Sequence, residues 1–282
     1  MTDIDRLLHS RSFVELGARQ RAKALLDSGS FRELLGPFDR LSSPWLPRQG
    51  IVPQADDGVV IAKGTLDGRP SVIAAIEGGF QGGSMGEVGA AKIAAALELA
   101  IEDNQQATPT CAVLLLETGG VRLQEANLGL AAIAEIQAAI VELRSYQPVI
   151  GLIAGSVGCF GGMSIAAGLC SHLLVTREAR LGLNGPQVIE QEAGLEEYDA
   201  SDRPFIWSLS GGEQRHASGL VDAFVADDVD SIRQQLLHLL DVPSAQRSQR
   251  HAWFLQRLAQ VADNCPQLDA AAVRSLYQGD VS

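Results

Sequence analysis

An α/β domain with parallel strand pairing is what the sequence predicts, on three observations. The makeup, 46% hydrophobic and 20% charged over 282 residues, is that of a globular chain able to bury a large core. A β-branched hairpin stands early in the chain, and a pattern of apolar strand, glycine-rich turn and apolar helix then recurs. In chain order, residues 12–28 carry helical periodicity, with Phe13, Leu16, Leu25 and Leu26 on one side, Arg19, Arg21 and Lys23 toward solvent, and Gly29 as the stop. Residues 41–57, rich in Pro, Ser and Gln, predict an irregular approach. Runs 59–63 and 71–77 flank Asp67-Gly68, a dipeptide suited to the positive φ angles of a tight hairpin. Gly78-Gly79-Phe80-Gln81-Gly82-Gly83 is a flexible turn, and Ser84-x-x-Glu87 reads as a capping box for an Ala- and Leu-rich helix running to about Asp103. The pattern repeats as strand 111–116, turn Gly119-Gly120 and helix 128–143. It repeats again as strand 149–154, turn 155–162, helix 163–170 and strand 173–176. Beyond Pro204 the chain reads as mostly helical, with an amphipathic segment at 231–240. The division expected is a main domain over 1–242 and a helical tail over 243–282.

Composition excludes some functions. Acidic residues number 34 against 22 basic ones, and the net charge of -12 repels phosphate backbones and anionic lipid, so no nucleic acid or membrane partner is expected. Cys111, Cys159, Cys170 and Cys265 form no CxxC pair, and three of them sit in apolar runs, which predicts a metal-free, reduced, cytoplasmic protein. The N-terminal residues are charged from the start and lack a signal-peptide core. The uncharged run 147–176 contains Gly151-x-x-x-Gly155, a spacing known from packed membrane helices, but Pro148 and many glycines and serines break it into a buried strand and a turn.

The turns carry the chemistry. Between a strand and a helix several backbone N–H groups lack partners, and the helix dipole favours negative charge there. Glycine lets the backbone approach a ligand, so Gly119-Gly120 and Gly161-Gly162 could together form an oxyanion hole, although for any single pair the plainer reading, that glycines end strands, is preferred. Arg122 has two readings, a clamp for a substrate anion or an ion pair with Glu125. The ion pair is preferred, because a tight carboxylate clamp would stabilise the ground state. His172 reads as a satisfied core histidine; His216, in a polar loop, is the better placed of the two for proton work, with a solvated loop residue as the default reading. Leu209-Ser210-Gly211-Gly212-Glu213-Gln214 copies an ATPase signature, but no GxxxxGK[ST] loop accompanies it, so it is read as a structural turn.

Several strings in order resemble the landmarks of biotin-dependent carboxyltransferases. They are Ala18-Arg19-Gln20-Arg21 through Ser30-Phe31, Gly64-Thr65-Leu66-Asp67-Gly68-Arg69-Pro70, Gly82-Gly83-Ser84-Met85-Gly86-Glu87-Val88, Thr118-Gly119-Gly120-Val121-Arg122-Leu123-Gln124-Glu125 and Gly185-Pro186-Gln187-Val188-Ile189. The resemblance implies a crotonase-like (ClpP/crotonase) α/β fold, a spiral of ββα units with additional helices at both ends, that binds acyl thioesters and stabilises their enolates. Val121 after the glycine pair, Gly158-Cys159-Phe160-Gly161-Gly162 and Gln124-Glu125-Ala126-Asn127 look most like the β subunits of biotin-independent malonate decarboxylases. No cysteine precedes Cys111, so the zinc ribbon of one branch is absent, and the chain carries a single domain of this type.

The resemblance implies decarboxylation of a malonyl thioester carried on the phosphopantetheine-type group of an acyl carrier protein, with no cofactor bound by this chain. Gly119, Gly120, Gly161, Gly162 and His216 become the catalytic candidates, and Gly82, Gly83, Arg122, Gly158 and Phe160 the substrate-binding ones. Implied partners are a homologous γ subunit, an α (transferase) subunit and the carrier protein, whose acidic surface would need basic residues such as Arg177 and Arg180 or another subunit. The alternatives are a subunit that passes the carboxyl group to biotin and a non-catalytic scaffold.

Overall fold

In the computed structural model, which describes residues 10–52, 57–243, 247–264 and 269–277, side-chain alternation sorts each strand between two apolar layers. Helix α1 (Ala18–Leu25) precedes a sheet whose seven strands lie side by side in chain order: β1 (Arg32–Leu35), β2 (Val59–Leu66), β3 (Arg69–Ile76), β4 (Cys111–Leu115), β5 (Val149–Ile153), β6 (His172–Thr176) and β7 (Ala223–Val225). The first three are antiparallel neighbours, and from β3 onward every pair is parallel. Parallel strands need crossovers. These carry α2 (Glu87–Gln105), α3 (Ala126–Leu143) and α4 (Gly162–Leu169), and before β7 come α5 (Pro186–Ala193), α6 (Arg203–Ser210) and α7 (Gly212–Ala217). Helices α8 (Val229–Asp241), α9 (Arg247–Asn264) and α10 (Ala270–Tyr277) follow. The short strands β1 and β7 and helix α5 carry no clear periodicity.

One layer joins Val59, Ile61, Val72, Ala74, Leu114 and Ile153 to the buried faces of α2, α3 and α4. The other joins Val60, Ala62, Ile73, Val113, Ile150 and Leu174 to Phe13 and Leu25 of the N-terminal segment and to Leu236 and Leu239 of α8. The uncharged run 147–176 resolves into β5, a turn, α4 and β6. Helix α3 with its leading turn is long and apolar enough to cross a membrane, but its buried residues, Ile133, Ile136 and Ile140 among them, belong to the core of the first layer.

The hairpin forms as expected: Asp67 at φ 50° and Gly68 at φ 76° give the left-handed pair of a tight two-residue turn, closed by Leu66 opposite Arg69. Asp27 pins that turn, accepting from Thr65 Oγ1 (2.6 Å), Gly68 N (2.9 Å), Asp67 N (3.0 Å) and Arg233 Nη2 (2.5 Å). These bonds, that from Thr65 foremost, hold its carboxyl down at about 2. Its contribution to stability is therefore present above the unfolded value of about 4 and lost as pH falls through about 2. Asp27→Asn is expected to lower stability at neutral pH and to flatten its decline over that window, as read from urea midpoints across an acid titration.

The N-terminal segment departs from expectation. The helix ends at Leu25, because Leu26 is already extended (ψ 156°). Arg21 faces inward, only 6% exposed, instead of toward solvent. Its Nη1 pairs with Glu117 at the end of β4, while Nε and Nη2 donate to the carbonyls of Phe13 (3.0 Å) and Val14 (2.6 Å). Nearby, Asp227 accepts from the amides of Phe13 (2.8 Å) and Val14 (2.9 Å) and from Ser12 Oγ (2.5 Å), which fastens this segment to the loop before α8. The three described cysteines are buried, and Cys265 and residues 1–9 and 53–56 lie outside the described residues.

Candidate active site

At the C-terminal ends of the parallel strands the glycine-rich turns stack on one another through single-residue bridges. Met85 pairs with Val121, Thr118 with Cys159, Cys159 with Leu181, and Arg180 with Gly211. The hydrogen bonds run in series. Gly119 N donates to Gly82 O (2.9 Å), Met85 N to Gly120 O (2.7 Å), Thr118 N to Gly158 O (2.7 Å), Cys159 N to Arg180 O (2.8 Å) and Gly161 N to Leu183 O (2.8 Å). Only glycine fits several of these positions. A Cβ on Gly83 would fall 2.0 Å from Glu117 O, and one on Gly161, whose φ is 61°, would fall 3.2 Å from Gly120 Cα.

The four predicted glycines are thus brought together, but most of their amides are engaged. Gly119 and Gly161 donate to neighbouring carbonyls, and Gly120 N donates to Thr118 Oγ1 at 3.1 Å. Two amides beside them, Val121 N–H and Gly162 N–H, have no hydrogen-bond partner among the described residues. Gly162 is the first residue of α4, where the helix dipole adds partial positive charge, and no side chain caps that end. The glycines therefore bring the turns close, and the open donors lie one residue beyond the first pair and at the last residue of the second. Nothing in the sequence pattern distinguishes an engaged amide from an open one.

A cavity of about 650 Å³ opens beside the first turn, lined by Gln81, Gly82, Ser84, Gly119, Val121 and Arg122 among others. Gly83, Gly120, Gly158, Gly161, Gly162 and the buried ring of Phe160 do not line it and lie in the turns stacked against it. Arg122 is built into the wall: it pairs with Glu125 (3.0 Å), donates to Ser84 O (3.0 Å) and lies over the Phe80 ring (5.6 Å), so the ion-pair reading holds. Glu125 also takes the place of the expected capping box. Its Oε2 accepts from Glu87 N (2.7 Å) at the start of α2, the N-cap is Gly86, and neither it nor Ser84 supplies a side-chain cap. A carboxylate from 38 residues away neutralises that helix end, which a local sequence window cannot show.

Glu117, also unforeseen, lies beneath both turns. Besides pairing with Arg21 it accepts from Val157 N (3.4 Å), and Cβ atoms on Gly155 and Gly78 would collide with its side chain at 1.6 and 2.6 Å. His216 stands exposed on α7, stacked on Phe224 with centroids 6.0 Å apart, and does not line the cavity. His172 is satisfied by Val242 O (2.9 Å). Gly211-Gly212 is the structural turn expected: Gly212 N donates to Ala179 O (2.9 Å), and a Cβ there would meet Thr176 O at 2.1 Å. Burial pushes the Cys159 thiol far up, so it offers no thiolate at neutral pH. Among the described residues no three His, Cys, Asp or Glu side chains cluster as a metal site would require.

Residues 13–267 match the carboxyl transferase domain family. The chain is 40% identical over 246 residues to the malonyl-S-ACP:biotin-protein carboxyltransferase of Malonomonas rubra, covering 84% of this chain and 77% of that protein. Among solved structures it resembles a chain of the Pseudomonas malonate decarboxylase hetero-tetramer in complex with malonate, with a TM-score of 0.90 at 70% identity over 98% of this chain and 100% of that one. A chain of the Pseudomonas malonate decarboxylase hetero-dimer aligns with a TM-score of 0.74 at 62% identity, over 88% of this chain and 97% of that one.

Proposed function

This chain belongs to the carboxyl transferase domain family, with malonate decarboxylase subunits and a malonyl carboxyltransferase as its homologues, and we propose that it releases carbon dioxide from a malonyl thioester. The observation that carries the proposal is the pair of open amides, Val121 N–H and Gly162 N–H, on two turns in contact. The thioester oxygen of a malonyl group, held on the phosphopantetheine arm of an acyl carrier protein, accepts from both. The bond from the α-carbon to the carboxylate breaks, carbon dioxide leaves, and the electron pair passes through the α-carbon to that oxygen as an enolate. Protonation of the α-carbon yields the acetyl thioester. The thioester is the electron sink, and each preorganised donor contributes about 3 kcal/mol toward the enolate-like transition state, judged by donor deletions in other enzymes. In this mechanism Arg122 and Glu125 shape the wall and the N-terminus of α2, and Glu117 holds the turns in place.

The chain acts as one subunit of a larger assembly, beside a homologous γ-type subunit, a transferase subunit and the carrier protein. The hetero-tetrameric and hetero-dimeric assemblies of its relatives support this. The second reading, transfer of the carboxyl group to biotin, is favoured by the likeness to the Malonomonas rubra carboxyltransferase and passes through the same enolate. Avidin separates the two. The assembled enzyme is expected to release carbon dioxide from malonyl thioester at the same rate with and without avidin, measured with labelled carboxylate. Abolition by avidin would assign the chain to biotin-dependent transfer instead.

A further inference from the structure

The chain carries a net charge of -12, and its buried cations Arg21, Lys92 and Arg122 all have carboxylate partners, whereas half-buried Arg180 and Arg215 and exposed Arg203, near the second glycine turn, have none. Arg180, Arg203 and Arg215 form no salt bridge among the described residues, in contrast to Arg21, Lys92, Arg122 and Arg233. Arg180 and Arg203 share one aromatic surface: their guanidinium carbons lie 4.6 and 5.4 Å from the Trp207 ring. The other ring beside Arg180 is Phe160, at 5.5 Å. Two like charges over a single indole repel one another while each is attracted to the ring. Burial first, and then the charge of Arg203, disfavour the protonated form of Arg180. Its Nε–H is buried without a hydrogen-bond partner. Its Nη2 donates to the carbonyls of Ser156 (2.7 Å) and Val157 (3.2 Å), which places the cation against the turn that ends in the open Gly162 amide. Trp207 is itself fixed, its Nε1 donating to Glu178 O at 3.3 Å. Arg215, held by Leu181 O at 2.8 Å, adds a third positive charge on the same side.

An anion set between the two guanidinium groups would offset their mutual repulsion and the cost of burying Arg180. We propose that Arg180 and Arg203, paired over Trp207, bind the phosphate at the end of the substrate's pantetheine arm, the group common to carrier-protein and coenzyme A thioesters. This rests on the reading of the chain as acting on a pantetheine thioester. The acyl end of such an arm lies at the turns and its phosphate at the arginine pair, so one ligand bridges two features of the same strand ends. The Arg203 guanidinium, with the remaining Nη1 of Arg180, offers charged N–H donors to a tetrahedral phosphate from two directions, which a lone ammonium would not.

The test is calorimetric binding of 4′-phosphopantetheine and of phosphate-free pantetheine to the assembled enzyme and to its Arg203→Ala and Arg203→Glu variants. Arg203 is exposed and forms no hydrogen bond to the turn among the described residues, so its loss leaves the scaffold intact. The wild type should bind the phosphorylated compound more tightly. Arg203→Ala should weaken that compound by about tenfold and pantetheine by less than about twofold, with a larger phosphate-specific loss in Arg203→Glu. Equal affinities in the wild type, or equal losses for both compounds, would overturn the site. Steady-state KM values distinguish the sources. A parallel rise for malonyl-carrier and malonyl-coenzyme A thioesters supports the shared phosphate. A rise confined to the carrier would point to an acidic protein face, and one confined to coenzyme A to its adenosine phosphates, and either would overturn the assignment. If the enzyme releases no carbon dioxide from any malonyl thioester, the proposed reaction fails while the binding result stands on its own.

Discussion

Gly161→Val is expected to lower kcat by about a hundredfold or more while leaving the complex assembled. Two independent costs meet at this residue. Its backbone, at φ 61° and ψ -145°, occupies a region that β-branched side chains do not adopt. A Cβ there would stand 3.2 Å from Gly120 Cα and 3.7 Å from Val121 N, so the two turns must separate or rotate. Either movement turns the Val121 and Gly162 amides away from a common oxygen, and a donor misplaced by about an ångström loses most of its catalytic value. Gly168→Ala is the control: a Cβ at that helical position meets nothing within 4 Å, and alanine is the better helix former. Measured turnover, with co-purification of the subunits as the assembly check, decides the matter. Wild-type kcat in Gly161→Val would remove the amides from the mechanism.

Arg21→Ala is expected to destabilise the protein by about 3–5 kcal/mol, because it leaves the Glu117 carboxylate buried without its counter-charge. Both side chains are less than a tenth exposed, so water cannot take over the missing role. Against a typical total of about 5–15 kcal/mol this is a large fraction, and denaturant midpoints should show it plainly. Arg21→Met combined with Glu117→Met should recover most of the loss, since apolar groups of similar volume need no counter-charge. The recovered protein should still turn over slowly, because Val157 N loses its acceptor and the second turn its strut. An unchanged midpoint in Arg21→Ala would show that the pair does not hold the turns.

Much of the layout was legible in local patterns. Asp67-Gly68 announced its hairpin, and apolar runs alternating with helices announced the strands β3 to β6 and their parallel pairing. What escaped is what depends on distant partners. Helical periodicity placed Arg21 with the solvent-facing cations of α1, and only the position of Glu117, 96 residues on, turns it inward. Ser84-x-x-Glu87 carries the letters of a capping box, yet Glu125 reaches α2 first and makes the local cap unnecessary. The glycine pairs marked the site, but the open amides belong to Val121 and Gly162, because neighbouring turns engage the others. The shared ring of Trp207 joins residues on either side of α5, a pairing that no spacing rule anticipates.

A sheet whose strands lie in chain order can be assembled during synthesis, each strand docking on one already in place as the ribosome releases it at roughly 5–20 residues per second. The segment around Phe13 and Val14 breaks that order. Its amides are fastened by Asp227, 214 and 213 positions later, so at such rates the apolar face of Phe13 and Leu25 waits roughly 10 to 40 s for its last anchor. During that interval the segment rests on its apolar packing against β2, β3 and β4, and only the arrival of Asp227 gives its amides their acceptor.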